Sequence, residues 1–135
     1  MADRSLDWFK QANRDLEHAT EAAQNRKYEW ACFAAQQAAE KAVKALHLSL
    51  GQEAWGHMVS RLLRELPENV EVTEELIDKG RALDNFYIPA RYPNGHPEGA
   101  PFEFFGKKQS EEAILYASEI IGFVRNEMAK QKRDH

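Results

Sequence analysis

A long segment rich in proline and glycine interrupts the helical pattern of this chain between residues 83 and 107. Four of the five prolines lie in it, at positions 89, 93, 97 and 101. Because proline fixes φ and lacks a backbone N–H, the chain must leave helical geometry near Tyr87 and regain it only near Ser110. Aromatic side chains are frequent in the segment, whereas disordered segments are poor in them. We therefore predict an ordered loop that bears function.

Helical periodicity on either side of this segment predicts four main helices and one short helix. Two main helices cover residues 5–24 and 28–49, and a short helix covers residues 57–66. A third main helix begins after the capping residue Thr73, and the last runs from about residue 110 to about residue 130. We predict an all-α fold: an antiparallel up-and-down helical bundle with a long ordered Pro/Gly loop before the last helix.

Length and composition are those of one such domain, which we expect to span residues 1–135. With a single cysteine, the chain has no intrachain disulfide. No apolar run approaches the roughly 20 residues that a membrane span needs, and the N-terminus lacks a signal-peptide pattern. We expect a cytoplasmic protein without membrane contact. The net charge of −4 confines any nucleic-acid binding to a local basic patch.

Several local interpretations follow from the helical pattern. Ser5 is the predicted N-cap of the first helix. The second helix is rich in alanine, which lets neighbouring helices approach closely and favours a central position in the bundle. Its Glu40 and Lys44 are spaced as a solvated ion pair. Cys32 is interpreted as a small core residue, and His57 as a helix-start or buried hydrogen-bonding histidine rather than as a ligand.

Three stretches together resemble the HEPN family, named for higher eukaryotes and prokaryotes nucleotide-binding. They are the aromatic and alanine-rich helix YEWACFAAQQAAEKAVKAL, the Gly-His turn leading into HMVSRLLRELP, and LDNFYIPARYPNGHPEGAPFEFF followed by an acidic helix start. The resemblance covers nearly the whole chain in the same order. It implies a helical bundle that forms a homodimer, and a separate nucleotidyltransferase subunit as a partner.

Many family members resemble RNA-cleaving toxins that carry an arginine and a histidine separated by four to six residues. Arg91 and His96 have that spacing, so the resemblance implies that these two residues are catalytic. Metal-independent RNA cleavage needs an acid and base, which histidine supplies, and a cation for the phosphate, which arginine supplies. The alternative is that Arg91 only bonds loop carbonyls or a carboxylate such as Asp84, while His96 is merely exposed.

A second interpretation of the same loop is nucleotide or RNA binding without cleavage. Arg91 would hold phosphate, Tyr87 and Tyr92 would stack on a base, and Lys107 would add positive charge. The opposing interpretation is that the loop aromatics only pin the loop to the bundle. The histidines have no partners at metal-ligand spacing, so we predict no metal site and no cofactor.

The expected function is therefore a HEPN-family protein that binds nucleotide or RNA, as a component of a toxin–antitoxin-like pair with a nucleotidyltransferase. Two alternatives stay open. One is a metal-independent RNase that uses Arg91 and His96 at a dimer cleft. The other is a non-catalytic helical dimer that acts as a scaffold.

Overall fold

The computed structural model of the chain describes residues 3–133 and contains five α-helices. Their bounds are α1 Ser5–Gln24, α2 Tyr28–Ser49, α3 Val59–Arg64, α4 Glu74–Asp84 and α5 Lys107–Arg133. Residues 3–133 contain no strand, so the predicted all-α helical bundle is confirmed. None of the helices in this part of the chain is both long enough and apolar enough to cross a membrane.

Helices α1 and α2 form the most extensive helix pair and have the predicted bounds. The predicted N-cap of α1 was wrong. Ser5 is the first helical residue and is buried, and the Asp3 carboxylate accepts its backbone N–H at 2.7 Å and its hydroxyl at 3.0 Å. A carboxylate just ahead of the helix thus satisfies a free N-terminal donor, which is the role assigned to Ser5 from sequence.

Helix α2 is the central helix, since it packs against each of the other four. Every alanine of α2 is buried, so its neighbours approach its backbone closely, as predicted. The large, fully buried side chains come mainly from the surrounding helices: Leu62, Leu63, Leu83, Ile120, Ile121 and Val124. Cys32 lies inside this core with no exposed surface, which confirms its interpretation as a core residue.

Helices α3 and α4 are joined by a carboxylate at the end of α4. Asp84 accepts the backbone N–H groups of Val59 and Ser60, and the Ser60 hydroxyl at 2.6 Å. A negative charge at the C-terminus of a helix is unfavourable for that helix, whereas one at an N-terminus is favourable. The position of Asp84 therefore stabilises α3 rather than its own helix, α4. At the other end of α4, Thr73 accepts the N–H of Leu76 at 3.1 Å, which confirms the predicted cap.

Residues 85–106 form the segment between α4 and α5, which we call the Pro/Gly loop. It contains two 3₁₀ turns, Pro93–Gly95 and Pro101–Glu103. Phe86 and Phe105 meet edge to face with 5.7 Å between ring centres and draw the two ends of the loop together. Helix α5 begins at Lys107, three residues before the predicted start. The loop is therefore anchored at both ends and holds its middle, which carries Arg91 and His96, against the bundle.

Candidate functional site

The guanidinium of Arg91 lies among three aromatic rings, which with it we call the Arg91 cluster. Its central carbon is 4.4 Å from the ring centre of Phe33, 4.5 Å from that of Tyr87 and 5.0 Å from that of Tyr92. These distances are in the range of cation–π contacts, which suit the flat guanidinium well. The rings fix the position of the charge without neutralising it.

Only one nitrogen of this guanidinium has a hydrogen-bond partner among residues 3–133. Nε of Arg91 donates to the backbone carbonyl of Tyr87 at 2.7 Å. No carboxylate of the described residues lies within ion-pair distance of Arg91, and Asp84, its conceivable partner from sequence, binds the start of α3 instead. The two terminal nitrogens therefore keep the paired donors with which arginine binds phosphate or carboxylate.

The Tyr87 ring connects Arg91 to a histidine and a buried carboxylate. The His57 ring stacks on Tyr87 with 4.5 Å between ring centres and an interplanar angle of 16°. Nδ1 of His57 lies 3.2 Å from each carboxylate oxygen of Glu40. Since an ionised carboxylate only accepts hydrogen bonds, Nδ1 of His57 carries the proton, and Nε2 faces away from Glu40. We call these two residues the Glu40–His57 pair.

Glu40 belongs to a polar network inside the bundle, which corrects its interpretation as half of a solvated pair. It is only 4% exposed, and it accepts hydrogen bonds from Gln36 at 3.1 Å and from Lys44 at 3.0 Å. Gln36 also donates to the backbone carbonyl of His57 at 2.9 Å, which fixes the turn before α3. A buried carboxylate is retained only with such partners. Here they hold it directly behind His57.

His96 has contacts that anchor the Pro/Gly loop. Its Nε2 donates to the backbone carbonyl of Pro89 at 2.7 Å, and its ring is stacked on Phe104 at 4.3 Å. The ring also meets Phe105 edge to face at 6.0 Å. His96 and Arg91, the two residues implied to be catalytic, share no hydrogen bond and no aromatic partner within residues 3–133. The structure gives His96 the surroundings of a loop-fixing residue.

The two remaining residues predicted to bind nucleotide differ in their surroundings. Tyr92 is 48% exposed and forms the outer wall of the Arg91 cluster. Lys107, at the start of α5, is exposed and lies 3.8 Å from Glu111. It lines a cavity of about 490 Å³ near the end of α1, with Tyr28 and Ile114 among the other lining residues. The structure thus brings Tyr87 and Tyr92 to Arg91 but places Lys107 in a different surface feature.

Four members of this site went unrecognised in the sequence: Trp30, Phe33, Glu40 and His57. Trp30 meets Phe33 edge to face at 6.3 Å, and Phe33 lies 6.2 Å from Tyr87, so an aromatic row extends from α2 to the loop. Trp30, Phe33, Gln37, Lys41 and Lys44 recur at three- and four-residue intervals and remain at least partly exposed on the otherwise buried α2. That periodicity is visible in the sequence and could have indicated a functional face.

Other reactive groups give no sign of a metal or nucleophile site. The described residues contain no group of three or more His, Cys, Asp or Glu side chains arranged to hold a metal ion. Burial raises the pKa of the Cys32 thiol to about 12, and the negative charge of Glu29 adds to this effect. A thiol in that state is a poor nucleophile because the thiolate is the reactive form.

Comparisons with known proteins agree with this architecture. A sequence model of the HEPN domain matches residues 5–127. A candidate toxin from Methanocaldococcus jannaschii is 26% identical over 128 residues, covering 88% of this chain and 84% of that protein.

Solved structures give the same result at higher identity. A protein from Thermus thermophilus has a TM-score of 0.92 and 46% identity, covering 93% of this chain and 99% of its own. An archaeal HEPN homologue has a TM-score of 0.80 and 40% identity, and the match covers 94% of this chain and 99% of that protein. A HEPN domain protein from Thermotoga maritima has a TM-score of 0.72 and 38% identity, and the match covers 89% of this chain and 95% of that protein. The chain therefore belongs to the HEPN domain family.

Proposed function

We propose that this HEPN protein binds the phosphate of a nucleotide or an RNA strand through Arg91. The observation that carries the proposal is the state of the guanidinium: three rings and one backbone carbonyl position it, and its terminal nitrogens have no partner among the described residues. A positioned, unneutralised guanidinium suits phosphate because its parallel N–H groups match two phosphate oxygens at once. The exposed part of Tyr92 offers a surface on which a base can stack.

We further propose that the protein acts within a pair, as a homodimer that is partnered by a separate nucleotidyltransferase subunit in the cytoplasm. The name of the Methanocaldococcus jannaschii relative, a candidate toxin, supports a toxin-like role. Exposed tryptophans and phenylalanines support a protein interface, since large apolar side chains at the surface favour contacts with other chains. Among them are Trp8, Trp30, Trp55 and Phe102. We propose one domain for the whole chain, residues 1–135.

Metal-independent RNA cleavage by Arg91 and His96 is the second candidate function, and their spacing in the sequence favours it. The contacts of His96 count against it, because its Nε2 is bonded to the Pro89 carbonyl and its ring shares no hydrogen-bond or aromatic partner with Arg91 among residues 3–133. Binding without cleavage requires no acid or base beside Arg91, and we rank it first for that reason.

One set of titrations tests the proposal. ATP and a short fluorescent single-stranded RNA are titrated in EDTA against the wild type, Arg91→Ala and His96→Ala, and the RNA is then examined on a gel. We expect saturable binding by the wild type, weakened about tenfold or more in Arg91→Ala through loss of charge-assisted hydrogen bonds. Intact RNA in every sample would favour binding alone. Cleavage that is lost in both variants would favour the RNase, and equal affinity in all three proteins would contradict the proposed role of Arg91.

A further inference from the structure

The His57 ring lies beside the Arg91 cluster with one nitrogen committed and the other free. Nδ1 is held by both oxygens of Glu40 at 3.2 Å, whereas Nε2 has no hydrogen-bond partner among residues 3–133. The side chain is 53% exposed, so a ligand can reach it. A carboxylate that holds one imidazole nitrogen sets the tautomer and the ring orientation.

The same tyrosine ring positions His57 and Arg91 relative to each other. The His57 ring centre and the guanidinium carbon of Arg91 each lie 4.5 Å from the ring centre of Tyr87. His96, in contrast, contacts Pro89, Phe104 and Phe105 in the Pro/Gly loop. The histidine that accompanies Arg91 is therefore the one that precedes α3 and lies far from it in sequence.

We propose that His57 is the second phosphate-contacting residue of the Arg91 site, that Glu40 is its positioning residue, and that phosphate binding depends on the protonation of His57. This inference rests on the proposed function of Arg91. The protonated ring would donate through Nε2 to a phosphate oxygen while Nδ1 stays on Glu40. Loss of the proton turns Nε2 into an acceptor, which repels the phosphate oxygen.

Charged and polar groups of both signs surround His57, and they can accommodate the ring with or without a proton. From α2, Glu40 faces it, and Lys44 offsets part of the Glu40 charge from 3.0 Å. Gln36 and Gln37 bring neutral amides to the same carboxylate. From the Pro/Gly loop, the Tyr87 ring covers one face of His57, and the guanidinium carbon of Arg91 lies 4.5 Å from the centre of that ring. From α4, Asp84 is bonded to the backbone of Val59 and Ser60, just after His57.

The test is a pH series of AMP and RNA titrations. Affinity of the wild type should fall about tenfold between about pH 5.5 and about pH 8, the range over which histidine loses its proton. His57→Asn should bind with the weaker affinity and show no such dependence. His57→Arg, a permanent cation, should keep the stronger affinity throughout. Glu40→Gln should lose affinity at the acidic end, where the charged ring needs its carboxylate.

Controls separate this inference from the proposed function and from misfolding. His18→Asn, which removes an exposed histidine of α1, should retain the wild-type pH profile. Thermal unfolding shows whether each variant is folded, and His57→Arg keeps the test valid if Glu40→Gln does not fold. His96→Asn is measured in the same series. If the wild type binds but its pH dependence persists in His57→Asn, or is lost only in His96→Asn, the inference is overturned while phosphate binding by Arg91 stands. No wild-type binding at any pH would overturn both.

Discussion

At the scale of single residues, the site depends on how a positive charge is kept available inside a mostly apolar setting. A guanidinium that is fully paired with carboxylates is of little use to a ligand, and one that is free in solvent is poorly positioned. Arg91 avoids both states, since rings surround it and only Nε is bonded to the protein among the described residues. Arginine suits this arrangement better than lysine, because its flat cation stacks on rings and presents paired donors.

Arg91→Lys tests whether the flat shape and the paired donors of the guanidinium matter beyond its charge. Lysine keeps the charge but loses the stacking on Phe33 and Tyr87 and the paired donors. We expect affinity for RNA to fall by about three- to tenfold, less than in Arg91→Ala. Fluorescence anisotropy of labelled RNA at fixed ionic strength measures this affinity. Wild-type affinity in Arg91→Lys would show that charge alone is sufficient.

Cys32 gives a prediction about pH and stability. Its folded pKa of about 12 lies above the value of about 8.5 for an exposed thiol, so unfolding releases a proton between these limits. This contribution to stability is therefore complete below about pH 8.5 and declines as the pH rises. Between about pH 7 and about pH 9.5, the wild type should lose about 1 kcal/mol more of its unfolding free energy than Cys32→Ala. Urea unfolding measures the difference, and parallel pH profiles would contradict it.

The sequence predicted Arg91, Tyr87 and Tyr92 as binding candidates because they lie within one short stretch and their chemistry suits phosphate and a base, and the structure brings the three side chains together. It did not identify the Glu40–His57 pair, whose members are 17 residues apart. Their contact depends on how the turn before α3 packs on α2, which no local pattern specifies. For the same reason Glu40 resembled a solvated partner of Lys44, although it is buried.

At the scale of elements, the short helix α3 is held in place by a side chain from another helix. Asp84 accepts three hydrogen bonds at the N-terminus of α3, directly after His57. Six residues form too short a helix to be stable alone, so this connection to α4 and the packing of α3 on α2 fix its position. The position of His57 follows from the same contacts.

Asp84→Ala should therefore destabilise the protein by about 1–3 kcal/mol, since it leaves backbone donors of α3 without partners. The matched control is Asp78→Ala on the same helix. Asp78 is exposed and, among the described residues, is paired only with the exposed Arg81, so its loss should cost under about 0.5 kcal/mol. Chemical denaturation of both variants gives the comparison, and similar losses would contradict the role of Asp84.

The Pro/Gly loop requires glycine at position 95 because the chain approaches itself closely there. A Cβ on Gly95 would lie 2.9 Å from the Cα of Pro89. Gly95→Ala should cost about 1–3 kcal/mol through the shift that it forces. Gly122→Ala in α5 is the control, because no other part of the described residues lies within 4 Å of its added Cβ and alanine favours the helix by up to about 1 kcal/mol. The urea midpoints should therefore move in opposite directions, and a lower midpoint for Gly122→Ala would contradict this account.

At the scale of the whole molecule, the alanine-rich α2 explains the compact arrangement of its four neighbours. The helix pattern predicted the fold and the bounds of α1 and α2, because these long elements have strong periodicity and clear end signals. The ends of α3 and the start of α5 were less accurate, since they depend on caps and loop contacts such as that of Gln109 with Gly106. Oligomeric state lies beyond any helix pattern.

Dimer formation is the prediction at this scale. The large apolar side chains of Trp8, Trp30, Trp55 and Phe102 are exposed on one chain, and a dimer interface would cover such side chains. We expect a mass of twice the 15.5 kDa of one chain. Sedimentation velocity over a series of protein concentrations measures the mass of the species in solution. A monomer at every concentration would contradict the proposed homodimer.

Arg91 is the proposed phosphate anchor of this HEPN protein. The most direct test compares two arginines in one RNA-binding measurement, Arg91→Ala against Arg64→Ala, at several salt concentrations. Arg64 is exposed on α3 and takes no part in the Arg91 cluster. We predict at least about tenfold weaker binding and a shallower salt dependence for Arg91→Ala, with little change for Arg64→Ala. Equal affinities and equal salt slopes in the two variants would contradict the account.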